Sequence, residues 1–147
     1  MKLAKRALAA GSLTLLLPIP AGNLVRPLEQ TPPKLDWIAS WYGPRFHGRR
    51  TANGEVFSRH AFTVAHRTLP FGTVLSLEHE GRWALACVND RGPYAVWRGV
   101  RYYRGKRDVD VSERIARELG FVEKGLARVR VRVLFVPDAG GDCAQFR

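Results

Sequence analysis

Strict alternation of arginine and valine from Arg128 to Val133 is the clearest periodic signal in the chain. A period of two places the valines on one face and the arginines on the other, which predicts a half-buried strand with its arginines outward. Shorter runs read the same way. Trp37–Trp41 predicts a strand, Phe62–His66 a short strand, and Thr73–Leu77 and Trp83–Val88 a hairpin turning at Glu80-Gly81. Leu69–Gly72 and Asn89–Pro93 carry turn chemistry. One helix is expected, with Asp110 as cap, Glu113 three residues later, Ile115, Ala116 and Leu119 as its apolar face, and Gly120 as its stop. Short strands, a single helix and long loops predict a small, mainly β barrel.

The flanks read differently. Lys2, Lys5 and Arg6 precede an apolar run from Ala7 to Leu17, closed by Pro18-Ile19-Pro20-Ala21-Gly22. This is the layout of a secretory signal over residues 1–21, with a cut after Ala21. A retained anchor competes, because residues 7–25 carry no charge. Pro18 and Pro20 would break a helix there, which favours cleavage. Residues 22–36, with Pro27, Pro32 and Pro33, read as a linker, residues 37–136 as the only domain, and residues 137–147 as a disordered tail. Cys87 lies in a strand-like run and Cys143 in a Gly-rich tail. A buried free thiol at Cys87 is favoured slightly over a disulfide. No Cys or His spacing suggests a metal, and no metal or cofactor is expected.

Composition adds one fact. Of 147 residues, 46% are hydrophobic and 25% charged, which is ordinary for a globular domain and excludes collagen, coiled coil and wholesale disorder. The charge is lopsided at +11, and removal of the leader leaves 21 basic against 13 acidic residues, about +8. An anionic partner is implied. Nucleic acid is rejected, because the leader implies export and no recognition motif is present.

Single residues are ambiguous. Glu55 alone reads as a solvated loop side chain, Asp90 as a turn residue, Asp110 as a helix cap and His66 as a packed histidine. Trp41 and Tyr42 read equally as core or as a sugar-stacking platform. Together their wording is more specific. Ala39-Ser40-Trp41-Tyr42-Gly43, Phe46 to Glu55, Ala65 to Thr73, Val88 to Pro93 and Asp110-Val111-Ser112 resemble, in order, the rare lipoprotein A family. The resemblance spans residue 37 to about 135.

That resemblance implies a six-stranded double-psi β-barrel with one or two short helices. It implies an endolytic lytic transglycosylase acting on peptidoglycan glycan strands, notably strands stripped of peptide. The alternative is an expansin-like module that binds peptidoglycan without cutting it. In the enzyme reading the C6 hydroxyl of N-acetylmuramic acid closes onto C1, leaving a 1,6-anhydro ring and consuming no water. Asp90 is expected as the acid, Glu55 as a charge-stabilising or sugar-positioning carboxylate, and Asp110 as a third catalytic candidate. His66, Arg91, Trp41, Tyr42, Asn53 and Asn89 are the expected substrate contacts. Expected partners are glycan strands and cell-division or wall-synthesis proteins, in the periplasm or cell envelope, with the membrane only if the leader is retained. Expected departures from the family are no lipidated cysteine after the leader, no repeat domain, and an insertion at residues 94–107 carrying Trp97, Tyr102 and Tyr103 among arginines. The insertion reads equally as an extension of a glycan groove and as a solvated basic loop.

Overall fold

The computed structural model describes residues 34–97, 100–102, 105 and 107–147. The expected leader, most of the linker, and Arg98, Tyr103, Arg104 and Lys106 of the insertion lie outside the described residues. Strands form at β1 (Leu35–Trp41), β2 (Thr63–His66), β3 (Val74–His79), β4 (Arg82–Asp90), β5 (Ala95–Trp97), β6 (Val100–Tyr102), β7 (Val109–Val111) and β8 (Leu126–Phe135). Helix α1 spans Glu113–Leu119, and short 3-10 turns occupy Pro44–Phe46 and Ala144–Phe146.

Six strands close a barrel in the order β1-β7-β2-β4-β3-β8. The β1–β7 and β2–β4 pairs are parallel and the others antiparallel. Alternation drives closure: Ala39, Val64, Leu75, Leu77, Ala86, Val88, Val109, Val111, Val129 and Val131 are buried. Each large apolar side chain among them stabilises the fold by about 1.5–3 kcal/mol. Ile115, Ala116 and Leu119 of α1 join this core, as does Phe121. The β3–β4 turn lies at Glu80-Gly81, both with positive φ, as a two-residue hairpin requires.

Three expectations are corrected. Asp110 does not cap the helix; it lies in the middle of β7, and Ser112 is the cap, its hydroxyl accepting from Ile115 N. Cys87 is not a free thiol but is bonded to Cys143. Residues 137–147 are not disordered. The disulfide, a hydrogen bond from Gly141 N to Phe71 O (2.8 Å) and one from Phe62 N to Phe146 O (2.7 Å) hold them on the barrel. Gly72 permits this close approach, since a Cβ there would lie 2.7 Å from Gly141 Cα. The 94–107 segment contains the two-stranded β5–β6 ribbon.

Candidate active site

Barrel topology puts two aspartates on one rung. In Cα register, Asp90 of β4 pairs with Ala65 of β2, Ala65 with Asp110 of β7, and Asp110 with Ser40 of β1. Asp90 and Asp110 are thus two strands apart, about 10 Å between their backbones. The residue between them carries only a methyl group. Gly92, at φ 147°, lies over that methyl, where a Cβ would meet Ala65 Cβ and Asp110 Oδ2 at 3.7 Å. Above the rung is a groove of about 890 Å³ lined by both aspartates, Trp41, Tyr42, Phe46 and Tyr94. Arg45, Arg49, Arg50, Arg91 and Arg107 also line it, so arginines outnumber carboxylates.

Asp90 is held by three donors. Tyr42 Oη donates to Oδ2 at 2.9 Å, while Ala52 N and Arg91 N donate to Oδ1 at 2.9 and 2.8 Å. Burial, then the Asp90 charge, raise the Tyr42 phenol well above its usual range, so it stays protonated and donates. Asp110 accepts from Ser40 Oγ and from Arg107 Nη1 (3.4 Å). Burial raises its pKa; Ser40 and Arg107 oppose this and the Asp90 charge adds to it. Sequence reasoning did not single out Ser40, Arg107 or Tyr94. Ser40 stands within the Ala39–Gly43 motif, but its meeting with Asp110 comes from the β1–β7 register.

The other expected residues divide. Trp41 lines the groove while its Nε1 donates to Val122 O at 3.3 Å, so it serves both core and groove. The Arg91 guanidinium stacks 3.7 Å from the Phe71 ring centre and donates to His66 O at 3.3 Å. Glu55 does not line the groove with Asp90. It faces a neighbouring cleft of about 520 Å³, which shares Arg50 with the groove. Its carboxylate accepts from Asn89 Nδ2 (2.9 Å) and from Cys143 N (2.8 Å). Asn89 is buried, and Asn53 Oδ1 accepts from Thr51 Oγ1 and Glu55 N, which shapes the loop. These two asparagines do not line the groove; they hold the 51–55 loop and the Glu55 side chain.

His66 stacks on Trp37 with centroids 4.8 Å apart, and its Nδ1 accepts from Thr68 N and Leu69 N at 3.1 and 3.0 Å. Burial, then the charges of Arg67 and Arg91, lower its pKa to about 4, so the ring is neutral at pH 7 and fixes the turn after β2. The folded pKa lies below the ordinary 6.5, so the unfolded chain binds the proton first as pH falls. Stability is therefore lost from pH 6.5 down towards about 4. Thermal melts are expected to show this decline. His66→Asn, whose Oδ1 accepts the same two N–H groups, is expected to flatten it by at least about 4 °C in Tm.

A family model described as lytic transglycolase matches residues 36–131. The chain belongs to this RlpA-like family. It is 44% identical over 99 residues to a probable endolytic peptidoglycan transglycosylase RlpA from Synechocystis, covering 66% of this chain and 28% of that one. It is 41% identical over 103 residues to the endolytic peptidoglycan transglycosylase RlpA of Helicobacter pylori, covering 69% and 30%. For the Neisseria meningitidis enzyme of that name the figures are 40% over 109 residues, 73% and 41%. The chain thus spans less than half the length of these family members. Among solved structures, the Streptomyces papain inhibitor matches with a TM-score of 0.51 at 17% identity, over 68% of this chain and 93% of that one. At that identity the likeness concerns the fold, and the barrel is the family's double-psi β-barrel.

Proposed function

We propose that this chain is an endolytic peptidoglycan lytic transglycosylase of the cell envelope, cleaving glycan strands after N-acetylmuramic acid, with peptide-stripped strands preferred. The observation that carries the reading is the Asp90–Ala65–Asp110 rung beneath an arginine-lined groove. Asp110, whose part-buried carboxyl retains its proton to higher pH, is suited to protonate the leaving O4. Asp90, oriented by Tyr42, Ala52 and Arg91, is suited to stabilise positive charge at C1 and to accept the C6 hydroxyl proton. The C1–O4 bond breaks and the C1–O6 bond forms, while one proton moves from Asp110 to O4 and one from the C6 hydroxyl to Asp90. The geometry supports exchanging the roles read from sequence, where Asp90 was the acid. The arginines supply the field that an anionic lactyl carboxylate needs. Family relatives bearing the transglycosylase name add support.

The test is mass spectrometry of soluble products from intact and amidase-treated peptidoglycan. Products ending in 1,6-anhydro-N-acetylmuramic acid are expected, in greater yield from the treated substrate. Reducing-end products would mean hydrolysis by water. No release, with the protein pelleting on the sacculi, would make it a binding module.

A further inference from the structure

The segment that pins the 137–147 stretch to the barrel also reaches the loop that holds Asp90. Cys143 is buried and bonded to Cys87. Its backbone N–H donates to Glu55 Oε1 at 2.8 Å, and the other Glu55 oxygen accepts from Asn89, the residue before Asp90. The 51–55 loop is closed on itself by Thr51 N to Glu55 O (2.8 Å) and Gly54 N to Thr51 O (3.0 Å). From that loop Asn53 N donates to Asn89 O at 3.2 Å and Ala52 N to Asp90 Oδ1 at 2.9 Å. Glu55 therefore sits at a junction between the disulfide-anchored segment and the loop that orients Asp90.

We propose that the Cys87–Cys143 disulfide and Glu55 act as one positioning unit for Asp90, so that full turnover requires the oxidised protein. The disulfide fixes the Cys143 N–H; that N–H fixes the Glu55 carboxylate; Glu55 fixes the 51–55 loop and Asn89, and through them the Asp90 carboxylate. The inference rests on the proposed role of Asp90. Neither Cys143 nor Glu55 needs to touch the reacting atoms, so the effect should fall on kcat, with KM changed less than about twofold. Misplacement of a catalytic group by a fraction of an ångström to one ångström costs about 10- to 100-fold in rate.

A double-mutant cycle tests it, with the wild-type protein, Glu55→Gln, Cys87→Ala/Cys143→Ala and the triple variant assayed on amidase-treated peptidoglycan. Loss of the disulfide and Glu55→Gln should each lower kcat by about 10- to 100-fold, and the triple variant should be no worse than either. Additive losses would overturn the proposal, because they mean independent structural damage. Full kcat in the folded cysteine variant would also overturn it, as would full kcat in Glu55→Gln. A second readout does not depend on turnover: hydrogen exchange at the Ala52 and Asn53 amides should accelerate at least about tenfold without the disulfide while the β4 core amides stay protected. Unchanged protection overturns the positioning unit; faster exchange in a protein without turnover leaves the unit standing and removes the transglycosylase reading. If the cysteine variant does not fold, wild-type protein reduced and alkylated in the folded state takes its place in both measurements.

Discussion

Asp90→Asn is expected to lower kcat on peptide-stripped glycan by about 10²- to 10⁴-fold while leaving glycan binding within about threefold. The substitution keeps shape and removes charge. Asn Oδ1 still accepts from Ala52 N and Arg91 N, and its Nδ2 takes the place that Oδ2 holds opposite Tyr42 Oη. The phenol then turns from donor to acceptor, so the fold loses no more than about 1–2 kcal/mol. What disappears is the anion facing C1 and the acceptor for the C6 proton. A second consequence reports on the site without substrate. Burial is the first cause of the raised Tyr42 pKa and the Asp90 charge the next, so spectroscopic titration of Tyr42 should move to lower pH in the variant. Equal loss of binding and turnover would mean that Asp90 holds the groove together and does no chemistry. Full turnover would remove it from the mechanism.

The strands were legible because their cores alternate. Arg128–Val133 lies within β8 with Val129 and Val131 buried, and the Glu80-Gly81 hairpin joins β3 to β4. The identity of the helix cap was less legible, since Asp110 and Ser112 are both cap residues spaced plausibly before the apolar face. What decided it was tertiary: β7 pairs with β1 and β2 through Asp110, which leaves Ser112 as the first residue outside a strand. Motif wording singled out Asp90, Asp110 and Glu55 together, but spacing does not say which residues share a cavity. The rung does, and it joins two residues twenty positions apart while placing Glu55 in the neighbouring cleft. For residues 137–147 the sequence alone suggests a disordered tail. Its order comes from a covalent bond to a residue 56 positions away and from backbone hydrogen bonds to Phe71 and Phe62, which local composition cannot reveal. The same contact explains why Cys87 looked like a core thiol: it is buried, but beneath the segment that carries its partner.

Asp110→Asn is expected to reduce kcat by about 10²- to 10⁴-fold and to stabilise the protein at neutral pH, two effects of one cause. Burial raises the Asp110 pKa above its ordinary 3.8, against the opposing Ser40 hydrogen bond and Arg107 charge. The folded protein therefore holds this proton more tightly than the unfolded chain does. Stability from this group is present below pH 3.8 and is lost as pH rises through the folded pKa, so the ionised carboxyl is a cost at pH 7. Asparagine removes that cost while its Oδ1 still accepts from Ser40. Tm should rise in the variant at pH 7 and be unchanged below pH 3.8. Catalysis runs the opposite way. If Asp110 is the acid, wild-type kcat falls tenfold per pH unit on the alkaline side of its pKa. Ser40→Ala removes a hydrogen bond that favours the ionised form, so it should shift that alkaline limb to higher pH without abolishing turnover. An alkaline limb that stays in place in Ser40→Ala, or that survives in the residual activity of Asp110→Asn, would assign the acid to another residue. Asp90 would then regain the role that the sequence suggested.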